Sequence, residues 1–318
     1  MLLRKVIITS LHLRFEIPTA VISDILSPVD VPLIATAATD SQLRTGSRDK
    51  FLLLPPSDAY QARAILDLLK YYDWMDISIF SSDTNYGIHG TTTIQQLLAE
   101  ATADHTNSHE FTVRTYFFKA IDNAENIDLE DTLHIAVASL ARVFVLHCEA
   151  KYAPVVIEQA HEQGLLDKGF SWIVTEGITS SPQSLLVDGY YPSYYEGLLG
   201  VSLYIDTTSA QYRGFKDDIL AAMAGKQYIS CCHLKNISKH FLVFNKLRPG
   251  NLTASDINPV VTATYDAIQM LGAALEMQTS RLSSSPSTCG QHTWDGGGKI
   301  FNTLVSNKHV GASGLTVT

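Results

Sequence analysis

Short apolar runs rich in β-branched residues alternate along this chain with longer segments whose apolar positions recur every three to four residues. No other feature constrains the fold so much. Strands separated by helices pair in parallel, because each helix carries the chain back across the sheet. The predicted strands are residues 31–36 (VPLIAT), 51–54, 77–80 (ISIF), 111–118, 143–146 and 172–175. Ser57 or Asp58 can cap a helix reaching Tyr72, with Ala62, Ile65, Leu66 and Leu69 on one face. A loop is expected over residues 81–90. It leads into a helix whose Ile94, Leu97, Leu98 and Ala101 are spaced i, i+3, i+4, i+7. Residues 154–164 form a further helix that Gly164 can terminate. Residues 260–278 make a long helix with Val261, Tyr265, Ile268, Leu271 and Leu275 along a stripe. The tract 281–298 (RLSSSPSTCGQHTWDGGG) is read as a surface loop, and a helix resumes over 299–305. The fold class is α/β, doubly wound, with more than one sheet.

A chain of 318 residues has room for two domains of ordinary size. Its hydrophobic fraction of 46% supplies a core, so disorder over most of the length is excluded. Basic residues number 23 against 32 acidic ones, a net charge of −9, and such a surface does not suit a nucleic-acid partner. No run approaches the about 20 apolar residues that a membrane helix needs. The first 16 residues hold a short apolar stretch broken by His12 and lack a small-residue cleavage site. They are read as something other than a secretory leader. Cys148, Cys231, Cys232 and Cys289 contain no metal-binding spacing. They suit one or two disulfides of a secreted domain, or four inert thiols. Two N-x-S/T sequons, at Asn236 and Asn251, tilt the balance toward secretion and glycosylation.

Catalytic machinery is not legible. There is no G-x-S-x-G elbow, no phosphate loop ending in G-K-[ST] and no H-E-x-x-H pair. Asp295-Gly-Gly-Gly-Lys299 lacks the spaced glycines and the hydroxyl residue of a phosphate cradle, and reads as a flexible entry into a helix. Cys148 follows His147 without a third partner, which favours a structural thiol over a nucleophile. Neither enzyme chemistry nor any cofactor or metal is expected.

Six segments, in one order, resemble the ligand-binding region shared by metabotropic and ionotropic glutamate receptors. They are VDVPLIATAATDSQL from residue 29, PSDAYQA from residue 56 and YDWMDISIFSSDTNYGIHG from residue 72. FSWIVTEG from residue 170, the helix from Tyr265 to Leu275 and the ending from Trp294 to Leu315 complete the set. The resemblance implies a periplasmic-binding-protein-like type I fold, two α/β lobes with ligand in a central cleft. Lobe 1 would hold residues 1–52 and 206–318, and lobe 2 residues 53–205. It also implies that the sequence is a fragment with lobe 1 incomplete, because the family normally opens with further strands and helices.

By the same resemblance five positions match the family's amino-acid pocket. Thr39 would meet the ligand's α-carboxylate. Asp58 and Glu176 would hold its α-ammonium, with the ring of Tyr86 against the same cation. Lys299 would pair with a distal side-chain carboxylate. The physics suits these roles, since a carboxylate pair makes charge-assisted bonds to an ammonium and an aromatic face adds a cation–π contact. Plainer readings exist beside them: Asp58 as a helix cap, Tyr86-Gly87 as a turn and Glu176 as a solvated loop acid. Ala37 stands where relatives often carry a second hydroxyl, and Glu176 replaces the more usual aspartate. The function so implied is an extracellular module of a membrane receptor, sensing glutamate or a related amino acid by clamshell closure and dimerising through lobe 1. The alternatives are an assembly or modulatory amino-terminal domain of an ionotropic receptor-like channel, a bacterial periplasmic solute-binding protein, and a receptor guanylate cyclase ectodomain.

Overall fold

The computed structural model describes residues 7–9, 16–44, 49–103, 110–139, 141–223, 257–278, 296–314 and 316–317. In chain order the elements begin with β1 (Ile7–Thr9), α1 (Glu16–Leu26), β2 (Leu33–Ala35), β3 (Phe51–Leu53) and α2 (Asp58–Tyr71). Next come β4 (Asp76–Ser82), α3 (Asn85–Ala103), β5 (Thr112–Phe118), α4 (Glu130–Ala138) and β6 (Val143–His147). They continue with α5 (Ala153–Glu162), β7 (Ser171–Val174), α6 (Glu176–Thr179), β8 (Leu199–Gly200) and α7 (Ala210–Met223). The last are α8 (Pro259–Gln278), α9 (Gly296–Ser306), β9 (His309–Val310) and β10 (Thr316–Val317). The chain divides into two compact units: Met1–Thr39 with Leu43–Pro56 and Tyr204–Thr318, and Ser57–Leu203 with Asp40–Gln42.

The second unit is a five-stranded parallel sheet in the order β5-β4-β6-β7-β8. Alternate residues of the central strands face opposite sides, which is why their sequences read as continuous apolar runs. Ile77, Ile79, Val143, Val145 and Ile173 pack with Ile65, Leu69, Ile94 and Leu98 of α2 and α3. On the other side Phe80, Phe144, Leu146, Trp172 and Val174 pack with Leu133 of α4 and Val156 and Ile157 of α5. Each such side chain contributes about 1.5–3 kcal/mol of burial. Trp172 fills the largest share and donates its indole N–H to the Leu165 carbonyl at 2.8 Å.

The first unit is built from three pieces of chain. Its sheet is three-stranded and parallel, β1-β2-β3, and β9 and β10 form a short antiparallel pair. Ile34 and Leu54 pack with Ala267, Leu271 and Leu275 of α8 and Ile300 and Leu304 of α9. A buried carboxylate ties down the segment that follows β9. Asp266 accepts the N–H groups of Ala312 at 2.6 Å and Ser313 at 2.9 Å, and the Ser313 hydroxyl at 2.5 Å.

Several local expectations are corrected. No loop spans residues 81–90: β4 runs to Ser82 and α3 starts at Asn85. Ser81 and Ser82 are polar but fully buried strand residues, and the Ser81 hydroxyl donates to the His147 carbonyl at 3.0 Å. Asp58 does not cap α2. Ser57 does, accepting the N–H of Ala59 at 3.3 Å, while Asp58 stands in the first turn. The end of the tract 281–298 is not surface loop, since Gly296–Gly298 open α9 and Gly296 and Gly297 are buried. A Cβ on Gly297 would overlap the Asp30 carbonyl, and Asp30 Oδ2 accepts the Gly298 N–H at 3.1 Å while Oδ1 pairs with Lys50. The glycines allow close approach rather than flexibility. The buried stripe of α8 is Thr262, Ala263, Asp266, Ala267, Met270, Leu271, Ala274 and Leu275. Val261 and Tyr265 pack instead with Phe215 of α7. Helices α1, α4 and α7 have no counterpart among the segments expected from the sequence. Helix α4 buries only Leu133 and Ala136, too few positions for a clear period.

Candidate functional site

The strand order of the second unit, relative to sequence, reverses direction between β4 and β6. Open α/β sheets offer a crevice at such a switch point, beyond the carboxyl ends of the strands. Here those ends carry Ser81 and Ser82, the last residues of β4, His147, Cys148 and Glu149 at the end of β6, and Thr175 and Glu176 after β7. Asp58 at the start of α2 and Tyr86 in the first turn of α3 join them.

Tyr86 is the hub. Its hydroxyl accepts the Gly177 N–H at 3.0 Å, and its ring lies 4.4 Å from the His147 ring, centroid to centroid. Burial first, then the charges of Asp58 and Glu176, push its phenol well above the ordinary value. The two carboxylates therefore act on one buried ring. Hydrogen bonding with Thr175 and Gly177 offsets part of that rise. Gln61 of α2 accepts the Glu176 N–H through its Oε1, joining the α2 end of the site to the β7 end. Asp58 is buried at 5% exposure and Glu176 is half-buried.

His147 sets the floor. Its Nε2 lies 3.0 Å from the Tyr86 carbonyl, which can only accept, so Nε2 carries the proton and Nδ1 accepts from the Thr175 hydroxyl at 3.1 Å. Burial lowers its pKa to about 4, so the imidazole is neutral at physiological pH. Helix α3 can approach this closely because Gly90 faces the imidazole, and a Cβ there would overlap Nε2. Tyr86-Gly87 is thus not a turn, and Gly87 and Gly90 serve the packing of α3. The Cys148 thiol is fully buried, and burial, then Glu149, push its pKa well up. A thiolate nucleophile is disfavoured there.

Of the five sequence-predicted positions, Asp58, Tyr86 and Glu176 converge. Thr39 and Lys299 belong to the first unit: Thr39 is buried and Lys299 is exposed in the first turn of α9. Asn236, Asn251, Cys231, Cys232 and Cys289 lie outside the described residues. Gln61, His147 and Thr175 were missed. For His147 and Thr175 the signal was positional, since polar residues that end an apolar strand mark the crevice side of a parallel sheet.

Strand order, doubly covered sheet and acid-lined switch point together define a ligand-binding α/β module with the type I periplasmic binding protein fold. The receptor family ligand binding region matches residues 17–318, and the chain belongs to that family, which is one of ligand-binding regions rather than enzymes. Among similar proteins is Glutamate receptor 3.1 of Oryza sativa subsp. japonica, 27% identical over 160 residues, covering 50% of this chain and 16% of that protein. Metabotropic glutamate receptor-like protein E of Dictyostelium discoideum is 32% identical over 191 residues, 55% of this chain and 22% of that protein. The chain thus spans less than a quarter of either relative's length. A solved structure of a leucine binding protein, LivK, from Thermotoga maritima superposes with a TM-score of 0.68 at 17% identity. The match covers 98% of this chain and 71% of that one, and it shows the fold. No helix among the described residues is long and apolar enough to cross a membrane.

Proposed function

We propose that this chain is the extracellular ligand-sensing region of a larger membrane receptor and that it binds a small amino acid by its α-ammonium group. The carrying observation is that the charges of Asp58 and Glu176 fall on the same buried ring, Tyr86, at the switch point. A cation there gains two charge-assisted hydrogen bonds and an aromatic face, His147 backing the other side of the ring. A zwitterion that binds one state of the protein better than another shifts its population, and that shift is the signal. The names of the relatives, glutamate receptors of the plant and metabotropic-like kinds, support a receptor over an importer component. Dimerisation through the first unit belongs to the same reading.

Calorimetry with a panel of L-amino acids tests it. Asp58→Asn and Glu176→Gln should each weaken binding by about 10- to 100-fold, the worth of one charge-assisted hydrogen bond of roughly 1.5–3 kcal/mol. An affinity left unchanged by both substitutions sinks the assignment.

A further inference from the structure

Between Lys168 and Arg213 the chain has no Lys, Arg or His, and its acids there are Glu176, Asp188, Glu196 and Asp206. Within this stretch Tyr190 and Tyr191 stand in solvent, 79% and 56% exposed. A tight turn holds the first of them. The Val187 N–H donates to the Tyr190 carbonyl at 2.9 Å and the Tyr190 N–H to the Val187 carbonyl at 3.0 Å, around Asp188 and Gly189, both at positive φ. This is the two-residue Asp-Gly hairpin turn of type I′. It sets Val187 and Tyr190 opposite each other, so both exposed side chains share one face. Downstream, Tyr194 and Tyr195 anchor the segment on α5. Both pack against the core that holds Val156, Ile157 and Ala160, and the Tyr194 ring stacks on His161 at 4.3 Å, 13° from parallel. His161 shares its exposed helix face with Glu158 and Glu162, spaced i, i+3, i+4. Burial first, then the charge of Glu158 and in smaller part that of Glu162, raise the Tyr194 phenol above its ordinary value. Both carboxylates therefore act on the ring cluster. Among the described residues no ion pair includes Glu158, Glu162, Asp188 or Glu196.

We propose that Val187–Tyr195 and the outer face of α5 form a docking surface for an arginine-bearing extended segment of a partner protein. Tyrosines held in solvent by an ordered segment suit contact, since each ring offers large amphipathic area at little loss of rotamer freedom. The unpaired carboxylates choose the partner. A guanidinium can lie flat on a Tyr face while its N–H fork meets a neighbouring Glu, and the ammonium of Lys does only part of this. A surface whose unpaired charges are carboxylates repels nucleic acid, anionic lipid and a second copy of itself. None of its residues belongs to the crevice, so it is independent of the α-ammonium reading.

The probe is a capped peptide of three Arg-Gly-Ser repeats, titrated calorimetrically into the full 318-residue chain at low salt. Peptides with Lys or Glu in place of Arg serve as comparisons. The arginine peptide should bind about threefold more tightly than the lysine one and at least about tenfold more tightly than the glutamate one. Tyr190→Ser combined with Tyr191→Ser should weaken the arginine peptide about tenfold by removing the ring faces. Glu158→Gln combined with Glu162→Gln should weaken it about as much, to within roughly threefold, and flatten its dependence on salt. Each pair replaces side chains outside the core, and either one decides if the other does not fold. Asp67→Asn combined with Glu100→Gln alters exposed acids on α2 and α3, across the sheet, and should change the affinity by less than about twofold. If that pair weakens binding as much as the Glu158 and Glu162 pair does, net charge holds the peptide and the proposal fails. Affinity unmoved by the tyrosine pair and the glutamate pair also sinks it. So does equal binding of the arginine and glutamate peptides, or binding of neither.

Discussion

The two units reach the same parallel α/β arrangement by opposite routes. The second is almost one continuous stretch, Ser57–Leu203, whose strands follow one another with a single reversal of order. The first is assembled from three separated pieces, so Ile34 finds its neighbours more than two hundred residues later, in α8 and α9. Contiguity has consequences. In the second unit short crossovers place every strand end, and the crevice at the switch point is populated by residues the local sequence orders. In the first, the parallel strands are three residues long, and two carboxylates, half-buried Asp30 and buried Asp266, hold segments remote in sequence. Chain connectivity organises one unit, and buried polar ties organise the other.

Four measurements would break or sharpen that contrast. The largest effect is expected from Trp172→Ala, about 3–5 kcal/mol by removal of the biggest buried side chain. Hydrogen exchange should show the loss through β4, β6 and β7 while α8 keeps its protection. Equal loss in α8 would mean that the units unfold as one body. Acidification comes next. The folded pKa of His147, about 4, lies below the ordinary 6.5, so the unfolded state binds more protons between those values. Stability is fully present above pH 6.5 and falls as pH drops toward 4. The loss reaches about 3 kcal/mol, since each pH unit between the two values is worth about 1.4 kcal/mol. Denaturant midpoints at pH 7 and pH 4.5 read this, and a His147→Asn variant should show a shallower slope. His309 of the first unit is also held below its usual value, by burial against the opposing charge of Asp266. It should act in the same direction, more weakly because it is only about half buried.

Smaller effects probe the ties themselves. Gly297→Ala forces α9 away from Asp30 and should cost about 1–3 kcal/mol, the range for overpacking. The loss should appear in α9 and β2 by hydrogen exchange. Ser57→Ala removes the α2 cap and should cost about 1 kcal/mol, read as a lowered midpoint in urea. A larger loss at Ser57 than at Gly297 would reverse the proposed division between connectivity and polar ties.

Much of this was legible in the residues alone. The runs ISIF and VFVL read as buried parallel strands, because apolar residues fall on both faces. Asp58, Tyr86 and Glu176 were named only by the resemblance of their segments to the glutamate-receptor ligand-binding region. The glycines of the Y-G-x-x-G and D-G-G-G-K segments were misread. Their use depends on which backbone or ring they face, and a turn glycine and a close-approach glycine look the same in one dimension.

The sequence by itself therefore determined the class of fold and the parallel strands of the second unit. These follow from periodicity and short-range order, which are local. Tertiary structure decided which polar groups are buried and which proton His147 carries. Those are set by distances between segments far apart in the chain, and no local pattern encodes them.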